Sequence, residues 1–115
     1  MSVKPFPKPK EQMCQLGKHR WHVIRLFALA EGLPVMNVPL GHINMFHVYD
    51  RLTLRELAGH MVAVQEADLS CPIILDEDGE IMDGRHRLMK AIIDGEKTIK
   101  AVRFTENPEP CRVDE

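Results

Sequence analysis

Residues 71–104, CPIILDEDGEIMDGRHRLMKAIIDGEKTIKAVRF, constrain what this chain can fold into more than any other stretch. Pro72 introduces Ile73-Ile74-Leu75, a short apolar run of the kind carried by a buried strand. Residues 76–80 read as a loop with Gly79 supplying a positive φ, and Ile81-Met82 pairs back on the first run as a hairpin. A helix is predicted from Arg85 to Asp94, with Leu88, Met89, Ala91, Ile92 and Ile93 on its apolar side and Gly95 as its C-terminal cap. Thr98 to Phe104 closes the unit as a last strand.

Between the hairpin and that helix lies a polar knot, Asp83-Gly84-Arg85-His86-Arg87. The first amides of a helix have no partner within it, and the helix dipole favours negative charge there. A glycine, two arginines and a histidine at such a place suit a phosphate, because arginine adds a planar fork of donors. Gly84 is expected to make the tight strand-to-helix turn and to let the backbone approach a ligand. Arg87 is read as a phosphate donor, against the alternative of a simple pair with Asp83 or Glu80. His86 is a candidate donor or proton carrier, since imidazole titrates near neutrality. Asp83 is a candidate base, with capping of the helix as its simplest role. Arg85 is placed toward solvent or at the pocket rim.

Upstream, Lys18 to Glu31 reads as a helix stopped by Gly32 and Pro34. Residues 35–43 read as a strand that Pro39 confines to an edge or an end. Residues 44–52 read as a loop. Thr53 and Glu56 then form a capping box for a helix to about Ala67, with Leu54, Leu57, Ala58, Met61, Val62 and Gln65 at helical spacing. The methionines at 36, 45, 61, 82 and 89 are read as core filler. His19, His22, His42 and His47 lack partners at ligand spacing, so no metal site is expected.

The 115 residues suffice for one modest core. The balance of 44% hydrophobic and 28% charged residues is that of a soluble globular domain, and no apolar run is long enough to span a membrane. Cys14, Cys71 and Cys111 match neither a disulfide framework nor a zinc site, which makes a reducing cytoplasm the expected compartment. Charge is uneven: residues 1–25 carry six Lys/Arg against Glu11, whereas residues 26–104 carry eight against twelve acids. Residues 1–17, with Pro5, Pro7 and Pro9 among lysines, are expected to be an extended arm. Such an arm could touch DNA by counterion release, although a solubilising leader is the simpler reading. Residues 105–115 are expected to be an acidic tail without core residues, leaving 18–104 as the domain.

The segment from Val38 to Phe104 resembles the ParB/sulfiredoxin superfamily. The likeness rests on the strand Val38-Pro39-Leu40-Gly41-His42-Ile43, the following helix, the Pro-Ile-Ile strand, the hairpin ending in Asp83-Gly84-Arg85-His86-Arg87-Leu88, and Gly95. The resemblance implies an α+β fold with a small mixed sheet from residues 35–43, 73–75, 81–83 and 98–104, packed by helices. It also implies a nucleotide or phosphate site at Gly84, Arg85, His86 and Arg87, with ATP or CTP and Mg2+ as the cofactor. Relatives include phosphotransferases, nucleases and DNA-binding partitioning proteins, so a phosphotransferase or phosphohydrolase and a ParB-like nuclease or DNA-binding module all stay open. Sulfiredoxins place a reactive cysteine where this chain has Arg85, so sulfiredoxin chemistry lacks its nucleophile here. With the chain ending at Glu115, a full partitioning protein is not expected.

Overall fold

The computed structural model describes residues 13–48 and 51–114. In chain order these form β1 (Met13–Leu16), β2 (His19–His22), α1 (Val23–Ala30), β3 (Met36–Pro39), α2 (Leu54–Glu66), β4 (Ile73–Leu75), β5 (Ile81–Asp83), α3 (Arg85–Ile93), β6 (Thr98–Arg103) and β7 (Arg112–Val113). A single 3-10 turn, Leu40–His42, follows β3. The result is an α+β fold with two sheets, ordered β1-β2-β7 and β3-β6-β4-β5.

The four-stranded sheet holds the core because its strands alternate buried side chains between two faces. Ile74, Met82, Val102 and Phe104 pack on one face against Cys14, Trp21, Val23, Leu26 and Ala30 of the small sheet and α1. Ile73, Leu75, Ile81, Ile99 and Ala101 pack on the other face against Leu88 and Ala91 of α3. β4 and β6 run parallel, with Ile73 opposite Ala101 and Ile74 opposite Val102; β5 and α3 lie between them in sequence. β3 pairs antiparallel to β6 at the sheet's edge and ends on Pro39, as that proline requires.

The helix expected from Lys18 begins only at Val23. Residues 19–22 are instead a strand in a hairpin with β1, turned at Gly17 with φ +60°. The cause is Trp21: it lies opposite Cys14, is 1% exposed, and donates its Nε1–H to the carbonyl of Pro108 at 2.9 Å. Cross-strand pairing around that anchor outweighs the modest helix propensities of His, Arg and Trp. Nor does Gly32 adopt a left-handed conformation; it is absent from the positive-φ glycines, and Leu33 simply donates to the carbonyl of Ala30.

The two ends of the described chain meet in this small sheet. Of the arm expected over 1–17, residues 1–12 lie outside the described residues, and residues 13–16 form β1. The tail expected to lack core residues contributes none among the described residues, yet it carries β7, paired with β2, and Arg20 Nε donates to Asp114 at 2.8 Å. Arg25 donates to the carbonyl of Glu109.

The Thr53 capping box is formed: the amide of Glu56 donates to Thr53 Oγ1, and the amide of Thr53 to Glu56 Oε1. The apolar stripe behind it is not used as expected. No residue of α2 is buried, and Leu54 is 87% exposed. Met36, Met45 and Met61 are exposed as well, so of the expected methionine filler only Met82 belongs to the core. Among the described residues, helix α2 packs chiefly against α3.

Candidate functional site

The knot at residues 83–87 sits where β5 passes into α3. Gly84 turns the chain with φ +107° and ψ 25°. A side chain there would collide with the core: a Cβ would stand 2.5 Å from Ile73 Cγ2 and 3.2 Å from Arg87 Nη2. Glycine is therefore required by both conformation and space. No side chain caps α3, and its first ladder bond is the amide of Leu88 to the carbonyl of Gly84. Arg85 is exposed at the first helical position.

Arg87 is placed differently from its sequence-based reading. It is 7% exposed, and its guanidinium donates to the carbonyl of Pro72 at 2.6 Å and to Asp83 Oδ2 at 2.8 Å. It ties the start of β4 to the end of β5 from within the first turn of α3. The assignment of Arg87 as a ligand-facing fork gives way to a positioning role, and Asp83, expected as a base or cap, is its partner. Burial holds the Asp83 carboxyl above its ordinary range, with the charge and hydrogen bond of Arg87 pulling the other way.

His86 meets a partner that no local pattern announced. His60 of α2 places its Nδ1 at 2.7 Å from His86 Nε2, the two rings 5.0 Å apart and tilted by 33°. One imidazole must donate and the other accept, so at least one nitrogen of the pair is unprotonated. Burial, and then the neighbouring His60, hold His86 below its ordinary value against a smaller upward pull from Asp83. A hydrogen-bonded imidazole pair can pass a proton, which suits acid–base work. His60 lies 26 residues before His86, so only the packing of α2 on α3 brings them together.

Lys90 adds a second tie, donating to the carbonyls of Gln65 and Ala67 at the end of α2. Between the helices runs a groove of about 520 Å³ lined by Leu57, His60, Met61, Val64, Met89 and Ile93 among others. Its lining does not include residues 83–87, so the amides of the turn and this groove are separate features joined through the histidine pair. Of the histidines treated as isolated, His47 meets Glu80 at 3.3 Å. Among the described residues no group of three or more His, Cys, Asp or Glu side chains is arranged to hold a metal ion. Among them, too, no helix is long and apolar enough to cross a membrane.

The histidine pair gives stability a pH dependence. Because the folded chain lowers the affinity of His86 for a proton, the unfolded chain binds more protons below the ordinary imidazole value of about 6.5. Stability therefore rises with pH through the window beneath that value and is lost as pH falls through it. Thermal melts across about pH 5 to 8 should show this loss in the native chain and a flatter profile in His86→Gln. Identical profiles would remove His86 as the titrating group.

No protein-family model matches the chain, and no curated protein is significantly similar to it.

Proposed function

We propose that this chain is a small nucleotide-binding domain of the ParB/sulfiredoxin type, holding a phosphate at the turn from β5 into α3. The observation that carries this reading is the uncapped N-terminus of α3 beside the exposed Arg85, on a turn braced by the buried Asp83–Arg87 pair. The amides of the first turn and the Arg85 guanidinium are the phosphate donors, and Gly84 makes the tight turn that presents them. His86, neutral and paired with His60, adds a donor or a proton acceptor. Phosphoryl transfer depends mainly on positioning and charge stabilisation, which these groups supply. ATP or CTP is the ligand class, and any Mg2+ would arrive on its phosphates, since Asp83 is engaged by Arg87.

Calorimetric titration with ATP, CTP and pyrophosphate tests the reading. Binding is expected between micromolar and millimolar, about −4 to −8 kcal/mol. Arg85→Ala should weaken it roughly tenfold or more while leaving the melting temperature unchanged, as expected for an exposed charge-assisted donor. Folded protein that gives no heat with any of the three ligands would sink the proposal. Tighter binding to duplex DNA than to nucleotide would instead favour the DNA-binding alternative.

A further inference from the structure

The His60–His86 contact joins the middle of α2 to the first turn of α3, with Nδ1 of one ring 2.7 Å from Nε2 of the other. Such a contact tolerates one added proton and not two. In the neutral pair, or with a single imidazolium, one facing nitrogen donates and the other accepts. With both rings protonated, both facing nitrogens carry hydrogen, and two cations stand with their ring centres 5.0 Å apart. The rings must then part.

What moves with them is set by the packing of α2. No residue of this helix is buried, and neither core cluster includes one of its residues. Its main packing is on α3, across the groove where Leu57, Met61 and Val64 meet Met89 and Ile93. Its C-terminal end is fastened separately, by Lys90 Nζ donating to the carbonyls of Gln65 at 3.2 Å and Ala67 at 2.9 Å. Backbone carbonyls do not titrate, so acid leaves that tie in place. We propose that the histidine pair is an acid-sensitive latch: protonation of both rings releases the body of α2 from α3, and the helix swings about its C-terminal end while the sheets stay folded.

The surroundings of the pair set the direction. Burial, then His60 of α2, and more weakly Arg87 of α3 oppose a proton on His86, whereas Asp83 at the end of β5 favours one. The Asp83 carboxylate is engaged by Arg87. His86 is also the second residue of α3, where the helix dipole disfavours a cation. Around His60, the groove brings Lys90 and Asp94 of α3, which are opposite in sign, and Glu56 one turn earlier on α2 is engaged by the amide of Thr53. Release carries His86 away from His60 and toward water, so the released form binds protons more tightly than the latched one. Acid therefore drives release, in the window below the ordinary imidazole value of about 6.5. A 13-residue helix is marginal in water by itself, so the released segment also frays.

Nuclear magnetic resonance of the full chain, stepped from about pH 7.5 to about pH 4.5, tests the latch, with the ring signals of the two histidines reporting their protonation. Backbone order parameters over residues 54–63 should fall from about 0.85 to below about 0.6 as the second ring becomes charged, while β4, β5 and β6 keep theirs. His60→Gln supplies an amide that can donate to His86 or accept from it in either protonation state, so α2 of this variant should stay ordered across the whole range. His86→Gln should do the same from the other side. An α2 that stays ordered with both rings protonated would overturn the proposal. So would loss of order in α2 and the four-stranded sheet together, or a transition at the same pH in the native chain and both glutamine variants.

Discussion

Arg87→Ala is expected to destabilise the fold by about 3–5 kcal/mol, the usual cost of removing one partner from a buried ion pair. The pair is well enclosed, with side-chain exposures of 8% for Arg87 and 14% for Asp83. Truncation leaves the Asp83 carboxylate in a site that already disfavours its charge, and leaves the Pro72 carbonyl without its donor. Replacing both partners by apolar groups is a different matter. Asp83→Leu with Arg87→Met removes both charges together, and such exchanges are often close to neutral. The double variant should therefore be more stable than Arg87→Ala alone. Urea denaturation of the native chain and these variants measures the difference. A ligand-facing arginine would behave oppositely, with stability unchanged and nucleotide binding lost, so one series separates the two roles.

How much of this was legible in the sequence follows from the range of the forces involved. The capping box at Thr53, the positive φ of Gly79 and Gly95, and the end of β3 at Pro39 are local effects, and each appears where the residues place it. The four strands of the larger sheet were legible for the same reason, except that the edge strand expected over residues 35–43 stops at Pro39, where a 3-10 turn takes over. The small sheet was not. Its existence depends on Trp21 finding the carbonyl of Pro108, 87 residues away, and no window of sequence contains both.

The candidate site divides along the same line. Asp83 to Arg87 announced a strand-to-helix turn rich in donors, and that turn is present. What the motif could not announce is which arginine looks outward. Arg85 and Arg87 are two residues apart, about 200° around the helix, so one must face the core if the other faces solvent. The carbonyl of Pro72, lying on the core side, decides that it is Arg87. His60 was invisible for a related reason: its partner belongs to another helix. The amphipathic pattern of α2 was read correctly as a helix, yet the same pattern does not say whether its apolar face is covered by its own chain or by another.

Gly84→Ala is expected to cost roughly 2–5 kcal/mol, a large fraction of the stability of a domain this size. Two costs combine. A side chain at φ +107° carries about 1–2 kcal/mol of backbone strain. The added Cβ would also stand 2.5 Å from Ile73 Cγ2 and 2.9 Å from Ile73 Cβ. Ile73 cannot retreat, being fully buried and paired with Ala101 in the middle of the sheet, so relief of the overlap costs a further 1–3 kcal/mol or so. Gly79 and Gly95 provide the control. They too have positive φ, +85° and +71°, but a Cβ at either would meet nothing within 4 Å. Their alanine variants should show the strain without the collision. Urea midpoints for the three substitutions should thus place Gly84→Ala about 2 kcal/mol below the others. Equal losses at all three would mean that the helix does not approach Ile73 so closely, and the turn would lose the tight geometry on which the proposed phosphate site depends.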